Sequence, residues 1–155
     1  DGEQENRGVE VSLYGEPAPG LRILGGGTLV EAERERTQGG AFDGKRAIGV
    51  PERQANLNVE WDAPALPGLT LDGRLVYTGE QYANASNTLK LDAWTRLDLG
   101  ASYTFQAQTR PITLRARVEN VTDEADWLSA GGYPGANYLV LGAPRTFIVS
   151  AAVEF

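Results

Sequence analysis

Apolar and polar positions alternate with a period of two in seven segments of this chain, the pattern of strands with one apolar and one polar face. The first sets Val9, Val11 and Leu13 against Glu10, Ser12 and Tyr14. The second, from Leu21, carries Leu21, Ile23 and Leu29 among glycines, with Leu24 and Val30 interrupting the alternation. The third opposes Ala55, Leu57, Val59 and Trp61 to Gln54, Asn56, Asn58 and Glu60. The fourth opposes Leu69, Leu71, Leu75 and Tyr77 to Asp72, Arg74 and Thr78, with Val76 among the polar positions. In the fifth, Leu97, Leu99, Ala101, Tyr103 and Phe105 oppose Arg96, Asp98, Ser102 and Thr104. The sixth sets Ile112, Leu114, Ala116 and Val118 against Thr113, Arg115, Arg117 and Glu119. The last sets Phe147, Val149, Ala151, Val153 and Phe155 against Thr146, Ser150 and Glu154. No stretch sustains a 3.6 period, so the chain is predicted to be all-β.

The connections alternate in length. Short ones, rich in Pro and Gly, lie at 15–20, 62–68 and 106–111; long polar ones run over about 34–52, 81–93 and 122–143. Loops beyond about 12–15 residues are uncommon in compact domains unless they carry function. In an up-and-down sheet, alternation of this kind puts every long loop at one end, as in membrane barrels.

Composition narrows the chemistry. The 155 residues include no Cys, Met or His, which removes disulfides, thiolate metal sites and the commonest base and metal ligand. Lys and Arg number 14 against 21 Asp and Glu, a net charge of −7, which disfavours nucleic acid as a partner. Mean hydropathy is −0.32 and no apolar run approaches the ~18 residues of a membrane helix, an exclusion that does not reach β-barrels. Asp1 follows no Met or signal peptide, as expected of a processed chain or a piece of a longer one.

The two faces point to lipid and water. Trp61, Tyr103, Phe105 and Phe155 collect at the short-turn end, Tyr77 and Phe147 at the long-loop end, all on the apolar side of their strands. Aromatic girdles at both rims of an apolar band suit a lipid-facing wall, and strands of about 10 residues cover its ~25 Å. The opposite face carries Arg74, Arg96, Asp98, Arg115, Arg117 and Glu119, suited to a wet lumen. Seven strands cannot close a barrel of the usual even count, so the chain is expected to be a contiguous part of a larger one.

At these residues the chain resembles the TonB-dependent outer-membrane siderophore receptors, of the ferrichrome or hydroxamate-like kind. The matching runs are NRGVEVSLYGEPAPGLRILGGGT (6–28), VPERQANLNVEW (50–61), VYTGEQYANASNTLKLDAWTRLDLGASYTF (76–105), LRARVENVTDEADW (114–127) and LGAPRTFIVSAAVEF (141–155). The most specific pieces are Tyr77, Gly79, Tyr82 and Asn87 in their fixed spacing, the Val-Glu-Asn-Val stretch, and Gly-Ala-Pro-Arg before a terminal Phe. The resemblance implies that residues 1–155 are the C-terminal segment, about seven antiparallel strands, of a 22-stranded transmembrane barrel, with the N-terminal plug absent from this chain. It implies outer-membrane lipid around the barrel, ferric siderophore as transported ligand with no resident cofactor, and energy from TonB through the missing plug and its box. Tyr82, Trp127, Tyr133, Asn137 and Tyr138 become candidate ligand contacts of the external loops. The sequence departs from the family at Val140 and Leu141, where relatives often carry aromatics. Phe147, Val149, Val153 and Phe155 become the terminal signal read by the barrel assembly machinery.

Other constellations carry less. Gly25-Gly26-Gly27 lacks the Lys-Ser/Thr and helix of a phosphate loop and suits tight strand packing. Asp123, Glu124 and Asp126 offer oxygen ligands for Ca²⁺ without a fixed loop geometry. A nucleophile–base pair would have to use Lys45, Lys90 or carboxylates, so no catalytic residue is expected. From the residues alone, two further readings stand beside the receptor: a soluble secreted β-sandwich binding module with loops at one end, and a passive porin-like barrel segment.

Overall fold

In the computed structural model, which describes residues 2–133 and 136–154, eleven strands follow in chain order: β1 (Glu3–Ala18), β2 (Leu21–Glu35), β3 (Arg53–Asp62), β4 (Leu69–Thr78), β5 (Gln81–Tyr82), β6 (Lys90–Leu91), β7 (Trp94–Ala107), β8 (Arg110–Glu119), β9 (Trp127–Tyr133), β10 (Ala136–Leu141) and β11 (Thr146–Val153). Seven of them form one sheet in the order β1-β2-β3-β4-β7-β8-β11. Every neighbouring pair is antiparallel. The remaining four make two small hairpins, β5–β6 and β9–β10, inside the long loops. The only helical residues described are a 3₁₀ turn at Gln38–Gly40.

Short turns join β1–β2, β3–β4 and β7–β8. Gly20 (φ 75°) and Gly68 (φ 90°) take left-handed backbone there, which side chains disfavour. A Cβ on Gly68 would overlap the Thr104 carbonyl of the adjacent strand. The long connections all leave the opposite end, as the alternation of lengths predicts.

Register carries the two faces across the sheet. One row runs Gly15, Ile23, Val59, Gly73, Leu99, Val118, Phe147. The adjacent row on the other face runs Arg22, Glu60, Asp72, Gly100, Arg117, Ile148. Arg22 pairs with Glu60 (3.0 Å) and Asp62 (2.7 Å), Thr70 donates to Asp62 (2.7 Å), and Arg117 pairs with Asp72. That last pair reaches over Gly100, where a Cβ would collide with the Asp72 carboxylate; the glycine makes the bridge between β4 and β8 possible. Tyr103 and Phe105 stack at 5.7 Å near the short-turn end of β7.

The weakly patterned second segment is a full strand. Its glycines explain the pattern: Gly25 and Gly27 stand opposite Leu13 and Val11 on the apolar face, while Leu24 stands opposite Tyr14 on the polar face. β1 and β2 also run past the other strands, pairing 3–8 with 30–35. Residues 44–47 of the following loop bond along that extension, with Ala47 N–H donating to Ala32 O (2.9 Å) and Arg34 N–H to Lys45 O (2.8 Å).

No second sheet covers either face among the described residues. The accessible surface is 10,317 Å², where a compact 16.7-kDa chain would show about 7,600 Å². Val11 is 64% exposed, Phe147 72% and Val149 82%. A β-sandwich would bury these side chains between sheets, so that alternative is overturned.

Facing can be tested in the complete barrel folded into lipid. Leu99→Arg places a guanidinium on the apolar face and is expected to cost about 2–4 kcal/mol near the midplane, whereas Ser102→Arg, on the polar face, costs far less. Equal losses in a lipid-folding titration would contradict the assignment.

Candidate functional site

The three long connections (36–52, 79–93 and 120–145) fold onto one another. Ile48 bridges to Tyr82, and the Gly49 N–H donates to the Tyr82 carbonyl (2.9 Å). Asn87 (φ 57°) ties the first loop to the second from both sides: its Oδ1 accepts from Arg46 N–H (2.7 Å) and its Nδ2 donates to Arg46 O (3.1 Å). Gln81, 2% exposed, donates through Nε2 to Trp127 O of the third loop (3.4 Å). Gly49 (φ 71°) lies against Ala130, whose carbonyl a Cβ there would overlap. Ala83, Leu91 and Ala130 form a small apolar core with Ile48 packed on it. Among the described residues, the buried apolar side chains lie in that loop cluster and at the loop end of the sheet, where Ala32 of β2 and Trp94 of β7 are buried together with Ala47.

The third loop is closed at its base. Asn120 (φ 51°) and Asp98 are the largest fully buried side chains described. Asn120 N–H donates to Asp98 Oδ1 (2.9 Å), which also accepts from Arg96 Nε (2.7 Å). Asn120 Nδ2 donates to the carbonyls of Glu124 (2.8 Å) and Ala143 (3.0 Å), on the two arms of the loop. Gly142 N–H donates to Asp126 O (2.7 Å) and Arg145 N–H to Asp123 Oδ1 (2.9 Å).

These contacts give the family-like motifs physical roles. Tyr77 lies in the outward row with Ala55, Gly79 lets the chain cross Arg53 (N–H to O, 2.7 Å), Tyr82 joins two loops and Asn87 locks them. The Val-Glu-Asn-Val and Gly-Ala-Pro-Arg stretches meet as the two halves of the third loop's base.

Of the sequence-derived candidates, Tyr82 is half-buried and works through its backbone in the loop junction. Trp127 (43% exposed) opens β9 opposite Leu141. Tyr138 (55% exposed) lays its ring across Gly131, on the hairpin face opposite the one that buries Ala130. Asn137 is exposed, paired with Gly132. The Tyr133 side chain and Phe155 lie outside the described residues. Phe147, Val149 and Val153 line the outward side of β11, opposite Val118, Ala116 and Ile112. Sequence reasoning singled out Asn87 as part of a motif without giving it a role, and missed the loop core and the Asn120–Asp98 contact; left-handed asparagines at loop edges were the available signal. Among the described residues no group of three or more acidic side chains is placed to hold a metal ion.

Asp126, 7% exposed in the third loop, has its carboxyl held above the ordinary range by burial, reinforced by the Glu124 carboxylate and opposed by Arg96. A carboxyl raised in the folded state favours the closed loop fully below its unfolded pKa, near 3.9, and less as pH rises through the folded value. Asp126→Asn removes that loss. Limited proteolysis should find the variant's third loop more resistant than wild type at about pH 7 and equal to it at about pH 3; equal resistance at neutral pH would contradict the sign.

Residues 2–121 match the family described as TonB dependent receptor-like, beta-barrel. The chain is 41% identical over 154 residues to the ferrichrome receptor FcuA of Yersinia enterocolitica, an alignment covering 99% of this chain and 20% of that protein. It superposes on the ferric preacinetobactin receptor BauA of Acinetobacter baumannii with a TM-score of 0.90 and 42% identity, covering 100% of this chain and 23% of BauA. The siderophore receptor PiuA of the same species shares the fold (TM-score 0.80) at 23% identity, over 98% of this chain and 22% of PiuA. The chain thus spans between a fifth and a quarter of the length of these relatives. A one-layer wall, polar within and apolar without, whose long loops gather at one end, is what a segment of an outer-membrane barrel requires, and this chain belongs to the TonB-dependent receptor β-barrel family.

Proposed function

We propose that this chain forms part of the wall and external vestibule of an outer-membrane receptor that binds ferric siderophores and imports them with energy from the TonB system. The observation that carries the reading is the shared core of the three external loops. A ligand-capturing surface needs loops held in register, and Ile48, Ala83, Leu91 and Ala130 hold them. The relatives FcuA and BauA are named as receptors for ferrichrome and ferric preacinetobactin, which supports a chelate of the same class here. Iron enters as cargo inside its chelate; the chain supplies neither a resident cofactor nor catalysis. Energy reaches the barrel through a plug domain that contacts TonB. A passive porin would need the polar lumen but not the interlocked loops.

Tyr82, Trp127, Tyr133, Asn137 and Tyr138 are the proposed contacts. Flat aromatic side chains suit the rim of a site that takes a large, partly apolar chelate. Changing Trp127, Tyr133 and Tyr138 together to Ala in the full-length receptor is expected to weaken ferric ferrichrome or ferric preacinetobactin binding about 10- to 100-fold, with β content unchanged by circular dichroism. Unaltered affinity for both probes would remove these residues from the site.

Phe147, Val149 and Val153 of the outward row, together with the terminal Phe155, are proposed as the signal read by the barrel assembly machinery. An extended strand can add to a sheet edge while alternate side chains fill reading pockets. Deleting Phe155 from the full-length receptor should lower the amount assembled at the cell surface more than it lowers the stability of protein already folded in detergent. Equal surface assembly with and without Phe155 would mean that the terminal aromatic carries no signal.

A further inference from the structure

We propose that Asn120 is a positioning residue that sets the third external loop over the barrel mouth, with Asp98 as its seat; the consequence for ligand capture rests on the function proposed above. Asn120 uses nearly all of its polar capacity. Its N–H goes to Asp98, both Nδ2 hydrogens go to carbonyls on opposite arms of the loop, and its Oδ1 accepts from Glu124 N–H (3.0 Å) and Thr122 Oγ1 (3.4 Å). A primary amide alone among short side chains offers two donors and an acceptor at this reach. Aspartate keeps the acceptor and loses both donors; glycine keeps the left-handed backbone and the N–H to Asp98 but loses every side-chain contact.

The arms are also joined at Asp123–Arg145 and Asp126–Gly142. Positions 120, 123 and 126 on the rising arm therefore meet 143, 145 and 142 on the falling one, and the β9–β10 hairpin stands on this closed stem. The stem rests on the wall through Asp98 Oδ1, shared with Arg96, and through Val121 N–H, which donates to the Leu97 carbonyl of β7 (2.8 Å). Arg96 in turn pairs with Glu119 (3.0 Å) on the next strand, and Arg117 lies 3.8 Å from Asp98 Oδ2. The polar network of the lumen thus ends at the root of the loop that carries Trp127 and Tyr138. Asn120 itself is 2% exposed, so its influence on a ligand passes through the hairpin's placement.

The test uses the full-length receptor folded in detergent. Hydrogen exchange of the 127–141 amides, read without ligand, is expected to quicken at least about tenfold in both Asn120→Asp and Asn120→Gly, because each takes away the donor that ties the Glu124 and Ala143 carbonyls together, while β4 and β7 amides keep their protection. A disulfide introduced between Glu124→Cys and Ala143→Cys should restore slow exchange in the Asn120→Gly background by closing the stem without the amide. Wild-type exchange in either variant, or an Asn120→Gly loop that stays fast with the stem crosslinked, overturns the proposal. Ferric ferrichrome affinity, measured in the same set, should fall in the variants and return with the crosslink. Faster exchange with unchanged affinity would leave the clamp standing and overturn the role of this loop in ligand capture.

Discussion

Strand register ties the environment of each wall side chain to its neighbours from β1 to β11. Sliding one strand by a single residue would turn Arg22, Asp72 or Arg117 toward hydrocarbon and Leu57, Leu75 or Leu99 toward water. A guanidinium in hydrocarbon is costly, so the alternation defends its own register without any packed interior. The backbone is satisfied along the ladder, as a membrane demands, and the side chains are sorted by solvent alone. This is why a chain that exposes 25 large apolar side chains among its described residues is coherent.

Within that wall, polar side chains contribute specificity more than stability. The ion pairs of the lumen face are partly open to water, where such contacts are individually weak. Their placement is nonetheless particular. Arg117 reaches Asp72 across Gly100, and Arg22 gathers Glu60 and Asp62 near the short-turn end. Asp98 is the exception: 1% exposed, it is held by charge on one side and a backbone N–H on the other. There the electrostatics of the wall meet the architecture of a loop.

The wall was legible in the sequence because lipid and water impose opposite demands at successive positions. Even the blurred second strand followed the rule once Gly25 and Gly27 were seen to occupy apolar-face positions without side chains. The loops were not legible in the same way. β5 and β6 are two residues each, too short for any period, and the apolar residues of β9 and β10 do not alternate cleanly because an irregularity lies between Val140 and Leu141. Asn120 and Asp98 are separated by 22 positions, and only the β7–β8 register brings them together. Tyr82 acts in the loop junction through its backbone, a role no side-chain pattern announces.

The interlocking of the long connections has an evolutionary side. Gly49 fits beneath Ala130, Asn87 grips Arg46, and Gln81 reaches Trp127, so each loop is complementary to its neighbours. Grafting one of them from another receptor would bring a foreign backbone against contacts shaped for the old one. The exchangeable unit is the trio. New recognition would be gained by replacing 36–52, 79–93 and 120–145 as a block, or by changes at tips such as 39–44, which lie clear of the seam.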